Sequence, residues 1–182
     1  MTPAPQLTLS LPGDPRFAEI SPCGLYRYTL GHVWSASRGV AVFGLCNPST
    51  ATHEQDDQTT RVLGGFTREW RLGGWIVVNA CAYRATKPAD LDAFARGGGN
   101  ARGPDNDWWI RWAFERPETK LVVLGWGGAL PNGLRVHGEA LATAARECGR
   151  EPMCLGKTRA GQPRHPLMMS YGTRLEAYGV AA

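Results

Sequence analysis

The stretch GVAVFGLCNPST, residues 39–50, is a run of small and apolar residues that stops abruptly at Asn47-Pro48-Ser49. It is short, bounded and free of polar alternation, the pattern of a strand covered on both faces. A sheet buried on both faces needs helices above and below it, so the stretch points to an α/β fold. Beyond the corner, Val62, Leu63, Phe66 and Trp70 recur at helical spacing. The acidic pair Asp56-Asp57 opens that helix, where either carboxylate can accept hydrogen bonds from its free N–H groups, and Gly73-Gly74 is expected to end it.

The same alternation continues along the chain. WIVVNACAY (75–83), KLVVLGWGG (120–128) and EPMCLG (151–156) read as further buried strands. KPADLDAFA (87–95) and GPDNDWWIRWAFER (103–116) read as helices with Pro88 and Pro104 in their first turns, and a further helix runs from Leu134 to about Cys148. Upstream, GLYRYTLGHVW (24–34) has the mix of an antiparallel hairpin with Leu30-Gly31-His32 near its turn. The prediction is one domain over 1–182, with an irregular lead-in at 1–22 and an α/β core at 23–170. Its centre is a mostly parallel sheet with right-handed crossovers, the middle layer of a three-layer α/β/α sandwich.

Composition fits that domain. The 182 residues are 43% apolar and include seven Trp, ample for one substantial core. No apolar run approaches the length of a membrane span and the N-terminus lacks a basic-then-apolar leader, so the expectation is a cytoplasmic protein with no membrane partner. Five cysteines without a C-x-x-C pair indicate neither a disulfide framework nor a common zinc motif, and reduced, mostly buried thiols are expected. The charge of +4 suits a polyanionic partner and an ordinary surface equally.

Four strand ends carry distinctive polar chemistry, and in such a sheet the loops beyond the carboxyl ends form the ligand crevice. Asn47 ends the first central strand, Asn79 and Arg84 the second, Gly125 and Gly127 the third, and GKTRAGQPRHP (156–166) follows the fourth. Asn47-Pro48 is at once a turn and a rigid corner able to aim the amide and adjacent N–H groups, with Ser49, at a ligand. Asn79 would be costly to bury unpaired. Of Asp56 and Asp57, one is assigned the cap; the other faces the crevice as a general base, an electrostatic partner or a metal ligand. Tyr83 is the stacking candidate, whereas Trp108, Trp109 and Trp112 read as core. Arg84, Lys157, Arg159 and Arg164 are candidates for phosphate contacts.

Together the N-P-S-T corner, the D-D pair, V-V-N-x-x-x-Y-R, V-L-G-W-G and G-Q-P-R-H-P-L resemble a bacterial and phage domain family of unassigned function, over Tyr26 to Leu167. More distantly, the order Leu45-Cys46-Asn47-Pro48-Ser49, Asn79, Leu124-Gly125, His165-Pro166 resembles the uracil-DNA glycosylase superfamily. Leu45 and Ser49 stand where that pattern has glycines, and Asp56-Asp57 is foreign to it. The resemblance implies a glycosylase-like sandwich and a DNA glycosylase that hydrolyses the bond to a damaged or modified base without cofactor or lyase step, in repair or phage defence. It implies that Asn47 positions water, that Asn79 reads the base edge beside Pro48 and Ser49, and that His165 donates to a base carbonyl. The partner implied is DNA, single-stranded or carrying modified bases; no protein partner is indicated. The alternatives are a module that binds modified nucleotides without cleaving them and a metal-assisted enzyme acting on free nucleotides.

Overall fold

The computed structural model describes residues 16–49 and 57–179. In chain order the elements are β1 (Arg16–Ile20), β2 (Arg27–Val33), β3 (Val40–Leu45), α1 (Gln58–Glu69), β4 (Gly74–Asn79), α2 (Pro88–Arg96), α3 (Asn106–Glu115), β5 (Thr119–Leu124), α4 (Arg135–Glu147), β6 (Pro152–Cys154) and β7 (Glu176–Ala177). All seven strands join one sheet in the order β1-β2-β4-β3-β5-β6-β7. The inner four, β4-β3-β5-β6, are parallel, and β1, β2 and β7 add antiparallel edges.

The stretch that set the fold is β3, buried along its whole length at the middle of the parallel group. Its alternate residues divide between two cores. Val40 and Val42 pack with Ile110, Phe114 and Leu141 of α3 and α4. Ala41, Phe43 and Leu45 pack with Leu63 and Phe66 of α1 on the opposite face. From β3 the chain adds β4 on one side and then crosses to β5 on the other, so the carboxyl ends of β3 and β5 flank the switch in strand order where a crevice opens.

The amino-terminal expectations need correction. Leu30-Gly31-His32 is mid-strand, not a turn: β2 continues through it, paired with β1 and β4. Gly31 is there because the Phe17 ring covers it; a Cβ would lie 2.3 Å from Phe17 Cζ. The hairpin is β1–β2, and Arg16–Ile20, expected to be irregular, form its outer strand. Nor do Gly73-Gly74 stop α1. The helix closes earlier, where Arg71 turns left-handed (φ 59°), Leu72 N–H donates to Thr67 O at 3.0 Å and Arg71 N–H to Arg68 O at 2.9 Å. Gly73 instead slips past Ser35, whose carbonyl oxygen would sit 1.7 Å from a Cβ. Pro104 precedes α3 rather than entering its first turn. Of the three tryptophans of α3 expected in the core, Trp109 is buried, Trp112 is half-buried and Trp108 is 41% exposed. No helix among the described residues is long and apolar enough to cross a membrane.

Candidate functional site

The carboxyl ends of the parallel strands surround a cleft of about 530 Å³, whose walls include Asn47, Ser49, Trp126, Gly127, Arg164 and His165. Behind it lies a recess of about 80 Å³ that shares Asn47, Ser49 and His165 and adds Arg27, Asp57 and Asn79. Residues separated by more than one hundred positions thus meet at one place, as the strand-end pattern predicts.

The β3 exit is held by backbone pairing that continues past the strand. Ala80 N–H donates to Leu45 O, Cys81 N–H to Cys46 O and Ala85 N–H to Pro48 O, at 2.8 to 3.1 Å. Within this corner Asn47 Nδ2 donates to Ala85 O at 2.7 Å and to Pro48 O at 3.1 Å. Both N–H bonds of the amide are therefore committed to the scaffold, and Oδ1 is the atom it can offer a ligand. Pro48 is buried and Ser49 Oγ is buried without a hydrogen-bond partner among the described residues.

Asn79 is 1% exposed at the end of β4. Its main-chain carbonyl accepts from Asn106 Nδ2 at 2.8 Å, but its own Nδ2 has no partner among the described residues. A desolvated amide donor without a partner, on a residue that lines the recess, is held at a cost to the free protein.

The His165 loop is seated on the end of β5. Gly127 N–H donates to Pro163 O at 2.9 Å, and Trp126 Nε1 donates to Gln162 Oε1 at 2.7 Å. Gly125 lets the loop come this close, since a Cβ there would lie 2.7 Å from Pro166 Cδ and 3.2 Å from Arg164 O. His165 Nδ1 accepts from Leu167 N–H at 3.2 Å, so the neutral ring carries its proton on Nε2. Burial holds the imidazole below its ordinary pKa, partly opposed by the Asp57 carboxylate, and His165 is a neutral donor at pH 7.

Asp57 is the cap of α1: its Oδ1 accepts from Thr60 N–H at 2.8 Å. It lines the recess as well, so the same side chain caps the helix and borders the recess. Asp56 lies outside the described residues. Among the described residues no three His, Cys, Asp or Glu side chains gather to hold a metal ion. Cys46 borders the cleft with its thiol pushed up to about 12 by burial, too high to serve as a thiolate near neutral pH.

The remaining candidates fall outside the recess. Tyr83 stacks face to face on Phe94 with centroids 3.7 Å apart and lines neither cavity. Arg84 donates to Gly24 O at 3.0 Å. Arg164 is exposed at the cleft wall, its Nε donating to Lys157 O at 3.1 Å, and Lys157 and Arg159 are exposed on the same loop.

Arg27 is the residue that the strand pattern concealed. It is 5% exposed and lines the recess; burial lowers its pKa to about 10, against the opposing pull of Asp57, so it remains a cation. A bulge explains the surprise: Glu19 pairs with Thr29 but Ile20 with Arg27, leaving Tyr28 as an extra residue. Strict alternation would put Arg27 and Leu30 on opposite faces, yet both line the recess.

A family model described as "Protein of unknown function (DUF1643)" matches residues 27–167, and the chain belongs to that family. No curated protein and no solved structure matches the chain.

Proposed function

We propose that this member of the DUF1643 family is a DNA glycosylase-like hydrolase that takes an extruded damaged or modified base into the recess and cleaves its N-glycosidic bond. The observation that carries the reading is the meeting of Asn47, Asn79 and a neutral His165 at one recess beyond the parallel strands. In this reading the fold is a glycosylase-like three-layer sandwich. The outer cleft takes the sugar and adjoining backbone, and Arg164, with Lys157 and Arg159 behind it, meets flanking phosphates.

Hydrolysis then divides among the groups as follows. The unused Nδ2 of Asn79 donates to an acceptor on the base edge. Nε2–H of His165 donates to a base carbonyl as the glycosidic electron pair leaves with the base, stabilising the developing anion. Asn47 Oδ1 accepts a hydrogen bond from water and orients it toward C1′; with a dissociative transition state, orientation matters more than basicity. As the water oxygen bonds to C1′, its proton passes to the Asp57 carboxylate, whose second oxygen is not used in capping.

A second reading, a reader that binds a modified nucleotide without cleaving it, is favoured by the commitment of both Asn47 N–H bonds to the scaffold. Duplex and single-stranded oligonucleotides carrying varied bases separate the two. Time-dependent abasic sites, lost in both Asn47→Ala and His165→Ala, support hydrolysis. Saturable binding without product supports the reader, and turnover of free nucleotides with a strict divalent-metal requirement rejects both.

A further inference from the structure

From Asp57 at the recess, α1 runs along the sheet to the opposite edge, twelve residues and about 18 Å away. There a separate cleft of about 450 Å³ is lined by Trp34, Arg38, Arg68, Arg71 and Leu72. Arg38 ends the short 3-10 turn before β3, Arg68 belongs to the last turn of α1, and Arg71 follows it.

No carboxylate lines this cleft, and none of the three arginines forms an ion pair among the described residues. The nearby Glu118, whose carbonyl abuts Gly39, holds Arg116. Uncompensated like charges repel, so the cluster is organised for an anion that the protein itself does not supply.

Two details separate this cleft from a merely solvated basic face. The Arg68 guanidinium carbon sits 4.9 Å from the centroid of the Trp34 ring, a cation–π contact that tethers one cation at the wall of the cleft. Arg71 occupies the left-handed position closing α1, where glycine is the usual residue, and is the one non-glycine with positive φ among the described residues. The helix dipole accounts for one arginine in the last turn, but not for a strained second and a third brought from another element.

We propose that this cleft is a second anion site that grips the phosphate backbone of a nucleic acid, remote from the candidate catalytic recess. Three guanidiniums exceed what one inorganic phosphate uses, whereas successive phosphates along a strand offer each of them an acceptor. The proposal concerns binding alone and holds whether or not a glycosidic bond is cleaved.

The test is fluorescence anisotropy of a fluorescein-labelled, mixed-sequence single-stranded oligonucleotide between about 50 and 200 mM salt, with wild type, R71G and the triple variant R38A/R68A/R71G. The triple variant should bind at least about tenfold more weakly, with a salt slope shallower by ~2, about 0.7 for each lost arginine. R71G alone should lose ~0.7 of slope while melting at a higher temperature than wild type, a combination that a structural role for Arg71 does not give. The same series in a His165→Ala background, where no turnover is expected, should show the same losses; if wild type makes no abasic sites but these losses persist, hydrolysis fails and this site stands. Unchanged affinity and slope in a folded triple variant overturn the proposal. So does an arginine-dependent affinity for inorganic pyrophosphate with no arginine dependence for the oligonucleotide.

Discussion

Replacing Asn79 by leucine should make the free protein more stable while destroying ligand binding. Asn79 is 1% exposed, its Nδ2 lacks a partner among the described residues, and the recess it faces is otherwise lined in part by Leu30, Leu45, Leu63 and Val77. An unsatisfied buried donor costs ~1–3 kcal/mol, and a leucine of similar size removes that cost and adds apolar contact. The main-chain carbonyl of Asn79 still accepts from Asn106, so strand and helix remain tied. Taking the low end of the range, because water can enter through the outer cleft, the gain is about 1 kcal/mol, or ~2–4 °C in melting temperature for a chain of this size. Urea denaturation and calorimetry measure it, and oligonucleotide binding measures the loss. If Asn79→Leu instead lowers stability by more than about 1 kcal/mol, the donor is well paired in the free protein and Asn79 is a structural residue.

Other perturbations probe the rest of the site. The depressed pKa of His165 means that the unfolded chain binds its proton more readily than the native one. This contribution to stability is complete above the ordinary value of ~6.5 and is lost as pH falls below it, and the neutral donor persists to lower pH than a free imidazole would. A His165 imidazole resonance, identified by its loss in His165→Ala, titrating at or above ~6.5 would refute that, with His137→Gln as a control because burial lowers His137 too. Asp57→Ala should cost about 1 kcal/mol through loss of the cap, while Asp57→Asn should recover most of that stability; turnover returning with Asn excludes the charge from the chemistry. Gly125→Ala should push the 164–166 segment off β5, costing ~1–3 kcal/mol and lowering affinity for any ligand of the recess; normal affinity would show that the loop seat is not required.

The fold was legible wherever burial on two faces erased polar alternation, as in β3 and β4, and wherever a polar residue capped an apolar helical stripe, as at Asp57. It was least legible where a tertiary contact set the role of a glycine. Gly31 looks like a turn until Phe17 is placed over it, and Gly73 looks like a helix stop until Ser35 is found against it. Local sequence cannot contain either fact, because the partner lies more than ten residues away. Arg71 misleads in the opposite sense: a residue with no preference for positive φ ends the helix where the adjacent glycines should have done so.

The site divides along the same line. Asn47, Asn79 and His165 could be read from the sequence because each ends a strand or lies in the loop beyond one, and topology carries strand ends to one edge. Arg27 could not, since its approach to the recess depends on the bulge at Tyr28. Its presence changes the chemistry expected there. Asn47 has spent both N–H bonds on Ala85 and Pro48, so within the recess it can only accept; Asn79, His165 and Arg27 can donate. In the proposed reading, the donors of Asn79 and His165 favour a base edge rich in carbonyl oxygens over one rich in amino groups. The carboxylate of Asp57 balances the buried guanidinium and leaves this preference in place. The polar corner that ends β3 therefore has a defined part in the reading proposed above: it holds one acceptor for water, while the selection of the base falls to residues brought from β2, β4 and the loop beyond β6.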